Sequence, residues 1–145
     1  MSTESCMMDE MEMRRYLNRA FYADKKAKAL DMLVKQCRDR AQKLSRGTGD
    51  NPSSGGAGNS TESALMKLAE MEEQAEKQRR SAIEVTSEIR DKISELHDDD
   101  LEAVLIHRYI LFHTSEETAE LLHYHPNTVK NKVKKAIRKL CTELS

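Results

Sequence analysis

The chain has 145 residues, of which 34% are charged and 4% aromatic, with no Trp and a formal net charge of -1. So little large apolar material excludes a thick globular core and favours long, solvent-laced helices. The near-neutral balance excludes a uniformly basic nucleic-acid coat, yet leaves room for one basic face on an acidic body. Cysteine occurs at Cys6, Cys37 and Cys141. The odd number and wide spacing read as reduced thiols of a cytoplasmic protein, not as a disulfide or zinc framework. No apolar run approaches the roughly 18 residues that a membrane span requires.

Residues 1–12 lack the basic and apolar regions of a signal peptide and read as a disordered leader. From there Met13, Tyr16, Ala20, Ala23, Ala27, Leu30, Val34, Cys37, Ala41 and Leu44 recur in alternating steps of three and four. This heptad stripe predicts a helix over 13–46, with Leu17, Phe21 and Leu33 widening its apolar face. All five glycines fall within "GTGDNPSSGGAGNS", residues 47–60, which reads as a flexible linker. Ala64, Leu68, Met71, Ala75, Gln78, Ala82, Val85, Ile89, Lys92 and Leu96 then repeat the rule over 61–97, with Gln78 and Lys92 as interruptions. Asn59 or Ser60 is placed to cap this second helix. Two helices of matched length around a flexible loop predict a long antiparallel, coiled-coil-like hairpin. Its seams are rich in Ala, whereas a fully buried Leu or Ile contributes about 1.5–3 kcal/mol. The hairpin therefore needs a third surface, either the C-terminal segment or a second copy of the chain.

Residues 98–145 read as a separate helical domain. Asp98, Asp99 and Asp100 form an acidic helix start, which the helix dipole favours and which explains the run better than a Mg²⁺ site. A helix over about 101–112 places Leu101, Val104, Leu105, Tyr109 and Phe112 on one side. "TSEE" is a capping box, with Thr114 as N-cap and Glu117 reaching back. The short helix it starts is followed by a turn and by Pro126, which suits the first turn of a further helix.

A short helix, a tight turn and a basic helix have the pattern of a helix-turn-helix. Ala119 is the small residue at the crossing, Leu122 and Tyr124 fill the corner, and Val129, Val133, Ala136, Ile137 and Leu140 face inward. Residues 123–140 hold six Lys or Arg and no Asp or Glu. The outward face, Asn127, Thr128, Lys130, Asn131, Lys134, Lys135 and Arg138, combines amides and a hydroxyl near the helix start with cations. Side-chain amides read base edges in a major groove, and cations neutralise phosphates. Asn127, Thr128, Lys130 and Asn131 are the expected base readers. Thr114, His125, Lys132, Lys134, Lys135 and Arg138 are the expected phosphate contacts.

Residues 115–140 also resemble region 4 of bacterial sigma factors, most closely in "KAIRKL" at 135–140, with Glu117, Ala119 and Val129 in matching roles. Through "YLNRAFYADKKAKAL" and "LEAVLIHRYILFHTSEETAELLHYHPNTV" the whole chain resembles a family of small Firmicutes prophage proteins that carry such a domain at the C-terminus. The resemblance implies a phage-type transcription regulator that binds double-stranded DNA and contacts RNA polymerase. His123 departs from the pattern where such turns often have Gly, and Lys132 where an apolar residue is common. The base-reading face also differs, so the family's usual promoter sequence does not carry over.

Two other classes fit less of the sequence. A small-terminase-like DNA-packaging component combines similar parts but normally places the DNA-binding unit first. A structural coiled-coil adaptor predicts no DNA binding. No catalytic motif is present, and the histidines have no Cys or carboxylate cluster at ligand spacing, so neither an enzyme nor a metal or other cofactor is expected. The expected architecture is all-α: the hairpin, a homodimerisation surface in one version, followed by the sigma region-4-like helix-turn-helix domain.

Overall fold

Asp9 accepts a hydrogen bond from the Glu12 amide at 2.8 Å and starts the first helix of the computed structural model, which describes residues 8–47 and 56–143. Helix α1 spans Glu10–Leu17, α2 Arg19–Gly47, α3 Gly56–Ser94, α4 Asp99–Leu105, α5 Ser115–Leu122 and α6 Pro126–Glu143. A π-helical turn, Ile106–Ile110, continues α4. The protein is all-α, and no strand occurs among the described residues.

Several boundaries differ from the sequence expectation. Residues 10–12, expected in a disordered leader, are helical; residues 1–7 lie outside the described residues. Glu10 and Glu12 carry no apolar period, but they complement the positive helix start that Asp9 caps. Asn18 interrupts the expected single helix over 13–46. The second long helix begins at Gly56, so Asn59 and Ser60 lie inside it and not at its start; residues 48–55 of the expected 47–60 linker lie outside the described residues. That helix closes in tight turns, with Glu95 N–H donating to the Lys92 carbonyl at 3.1 Å and Leu96 N–H to that of Ile93 at 3.1 Å, before His97 adopts φ 50°.

The chain forms two compact units. One comprises the residues up to Tyr22 together with those from Ile83 onward; the other is Ala23–Ala82. The unit boundaries fall inside α2 and α3.

In the Ala23–Ala82 unit, Ala27, Val34 and Ala41 are buried seven residues apart, and Ala75 and Ala82 continue that spacing on α3. Between them Ala23, Leu30, Cys37 and Leu44 are half-buried, as the heptad rule requires. Arg38 pairs with Glu72 at 3.0 Å, and Arg79 with Asp31 at 3.6 Å, so the partner numbers fall on one segment as they rise on the other. The two segments run antiparallel. Gln78 fills its seam position by donating to the Ala23 carbonyl at 3.3 Å. Leu33 does not widen the seam; it is exposed.

The other unit has the larger core. Met13, Leu17, Ile89, Ile93, Leu96, Val104, Leu105, Val129, Ile137 and Leu140 are fully buried in one cluster. Here the third surface is the C-terminal segment: α6 packs against α1, α4 and α5. Tyr16 donates to Glu88 at 2.7 Å, and Arg19 reaches the same carboxylate at 2.5 Å. Burial and that carboxylate push the Tyr16 phenol up to about 12. Lys92 lays its stem in the core and places its ammonium 3.0 Å from Glu95, which is how a cation tolerates a seam position. Phe21, expected to widen the stripe, is 38% exposed and meets Phe112 edge to face at 5.4 Å.

Candidate nucleic-acid interface

Asp98 caps α4, its carboxylate accepting from the Asp100 and Leu101 amides at 3.1 Å each. Leu101, Val104, Leu105 and Tyr109 then enter the core, as expected. The expected helix to residue 112 ends sooner. Ile106–Ile110 forms a π-helical turn, closed by Leu111 N–H donating to the Ile106 carbonyl at 2.9 Å. Phe112 follows at φ 60° and is half-buried. The wider turn brings the ring nitrogens of His107 and His113 to 3.0 Å, a pairing with no sequence signal. Burial, then the nearby His113, holds the His107 pKa below the ordinary imidazole value. Arg108 donates to the His113 carbonyl at 2.6 Å.

The capping box at α5 has both expected bonds: Glu117 N–H donates to Thr114 Oγ1 at 3.1 Å, and Thr114 N–H to Glu117 Oε1 at 2.8 Å. The bond from the Thr114 amide keeps the Glu117 carboxyl below its usual range. Ala119 is buried where α5 meets α6, and Leu122 is half-buried. Thr118 is fully buried too, which its polar side chain gave no reason to expect.

His123 ends α5 in the left-handed region, φ 61° and ψ 46°. It takes the conformation that Gly supplies more cheaply in such turns, since a side chain there crowds the backbone. Tyr124 N–H returns to the Ala119 carbonyl at 2.8 Å. The Tyr124 hydroxyl donates to Asp100, so the residue expected to fill the corner also ties the turn to the start of α4. His125 is exposed and accepts from the Asn127 amide through Nδ1 at 3.1 Å. Pro126 opens α6, as expected.

Along α6, Val129, Val133, Ala136, Ile137 and Leu140 are buried, while Asn127, Lys130, Asn131, Lys134, Lys135 and Arg138 line the opposite side, with Thr128 beside them. Lys130, Lys134 and Lys135 are exposed there and form no close ion pair among the described residues, although the charge of Lys135 helps to depress Asp100. Arg138 approaches Glu10 at 3.4 Å, with both side chains largely exposed. Such a pair is weak and can open to a competing anion.

Lys132 differs from its expected role as a phosphate contact. Its ammonium lies 2.5 Å from Asp100 and stacks over the Tyr124 ring at 5.0 Å. The bonds from Lys132 and then Tyr124 depress the Asp100 pKa, and Asp100 in turn raises that of Lys132. Lys132 is thus a cation paired inside its own unit.

No group of three or more His, Cys, Asp or Glu side chains that could hold a metal ion occurs among the described residues. No helix among them is long and apolar enough to cross a membrane. No protein-family model, curated protein or solved structure matches this chain.

Proposed function

We propose that the chain is a sequence-specific DNA-binding transcription regulator of phage type, built as an antiparallel helical hairpin with a helix-turn-helix domain, and that α6 reads a major groove. The inner side of α6 is buried, while its outer side presents Asn127, Asn131, Lys130, Lys134 and Lys135 together. A solvated helix face normally mixes both charge signs, as the Ala23–Ala82 unit does with its Arg–Glu and Lys–Glu pairs. α6 has one acidic residue, Glu143, at its far end. Amides in the first two turns suit adenine edges, and the cations that follow suit the flanking phosphates.

The resemblance to sigma region 4 extends the proposal to contact with RNA polymerase. A homodimer would use the Ala23–Ala82 unit, where Met32, Leu33, Leu65 and Met66 are exposed.

The test is binding of the purified full chain to its own upstream DNA and to a random duplex across a salt series. Tight, sequence-dependent binding that weakens steeply with salt is expected. Asn127→Ala and Asn131→Ala are each expected to lose about 1–3 kcal/mol on the preferred sequence and little on the random duplex. Equal losses on both duplexes would remove these residues as readers. Binding by a many-subunit ring would favour the packaging reading, and no binding near low salt would favour the structural adaptor.

A further inference from the structure

Arg14, Arg108, Lys130 and Lys134 line one pocket of about 200 Å³, together with Ser115 and the buried Val133. The four cations come from α1, the π-helical turn and α6, and Ser115 is the first residue of α5. No carboxylate lines the pocket, and none of the four cations has an ion pair among the described residues. Of the two acidic residues in the first turn of α5, Glu117 is turned back onto Thr114 and Glu116 is exposed, and neither lines the pocket. Arg108 is held by its bond to the His113 carbonyl, and its Nε is buried without a partner. The Ser115 amide is among the helix-start N–H groups that find no acceptor within the helix.

Four like charges around one small volume repel each other, and a single anion relieves all of those repulsions at once. A phosphate group matches the donors. Guanidinium groups bind phosphate through paired N–H bonds, and ammonium groups add point charge. The volume accommodates one such group with a few waters, each of which takes about 30 Å³.

We propose that this pocket is a phosphate-binding site occupied by a backbone phosphate of the DNA that α6 engages. The occupant rests on the function proposed above; the pocket does not. Arg14 is the new element, because it makes α1 part of the interface although it lies more than a hundred residues before α6. Lys130 becomes a phosphate contact here and not the base reader that its position suggested.

The experiment has two arms on the full-length protein. In the first, duplex binding is measured across a salt series for the wild type, Arg14→Gln, Lys134→Gln and the control Lys77→Gln, whose lysine pairs with Glu73 in the other unit. Each cation withdrawn from a phosphate is expected to lower the slope of log affinity against log salt by about 0.9, with no change for Lys77→Gln. In the second, inorganic phosphate is titrated while the amide of Ser115 and the Nε–H of Arg108 are followed by NMR. Saturable shifts are expected in the wild type and not in the Arg14→Gln/Lys134→Gln double variant. Arg108 is left intact because it anchors His113, and Gln keeps the helical propensity at both substituted sites.

Duplex binding with unchanged slopes in Arg14→Gln and Lys134→Gln would overturn the pocket and leave α6 as the reader. Phosphate binding without duplex binding would uphold the pocket and overturn DNA as its occupant, making a free phosphate the ligand. Binding of neither would overturn both.

Discussion

The Ala23–Ala82 unit buries Ala27, Val34, Ala41, Ala75 and Ala82, whereas the unit containing α6 buries Met13, Leu17, Ile89, Leu105, Ile137 and Leu140. Both follow helical periodicity. They differ in what the periodic positions hold. An alanine seam allows close approach but removes little apolar surface from water, and a leucine–isoleucine cluster removes much more. The charges differ in parallel. Arg38, Lys77, Arg79 and Arg80 face carboxylates within the first unit, while α6 leaves Lys130, Lys134 and Lys135 unmatched. Among the described residues, the left-handed non-glycine residues, His97, Phe112 and His123, all lie in the α6 unit. A dense core can hold strained turns in place, whereas a thin seam is better served by regular helix.

Truncating a buried side chain in each core gives the largest expected difference between the two units. Leu105→Ala is expected to lose about 2–5 kcal/mol, because the cavity adds to the lost transfer term. Val34→Ala removes two methyl groups at about 0.8 kcal/mol each. Thermal melts followed by circular dichroism give both values, and similar losses would mean that the two seams are equally dense. Hydrogen exchange provides the companion measurement: amides within Ala23–Ala82 should exchange before those of α6.

The strained turn comes next. His123→Gly is expected to raise stability by up to about 1 kcal/mol, since Gly reaches the left-handed region without the crowding that a side chain adds. A drop in melting temperature would show that the imidazole contributes more than its backbone conformation costs.

A smaller effect separates paired from available charge on α6. Lys132→Gln is expected to cost about 0.2–1 kcal/mol of stability, as a partly exposed ion pair does, and to leave the salt dependence of DNA binding unchanged. A flattened salt slope would restore Lys132 to the phosphate contacts.

The pKa of His107 is depressed in the folded state, so the unfolded chain binds the proton more readily. Its contribution is therefore complete above the ordinary value of about 6.5 and is lost as pH falls through the lower folded value. His107→Gln should flatten the melting temperature between pH 7 and about 5. All five histidines lie outside Ala23–Ala82, so this sensitivity belongs to the α6 unit.

Much of the fold is legible in the sequence. The seam residues of both long helices, the Thr114–Glu117 box, the Pro126 start and the two faces of α6 follow from spacing and capping chemistry, which act over a few residues. Other features are hidden because they depend on residues distant in sequence. Lys132 reads like its basic neighbours until Asp100, thirty-two positions earlier, is found beside it. The α1 start escapes a periodicity argument because Asp9 acts through a cap and not through apolar spacing. His107 and His113 become neighbours only through a π-helical turn that has no sequence signature.

The sequence by itself determined that the chain is helical, which side of each helix is apolar, and that positive charge gathers at 123–140. Local propensity and periodicity suffice for that, because each helix closes its own backbone hydrogen bonds. The tertiary structure decided where the compact units divide, which lysines remain free, and that Arg14 joins Arg108, Lys130 and Lys134 around one pocket. Those outcomes depend on packing between segments far apart in the chain, and no local pattern encodes which charges will meet.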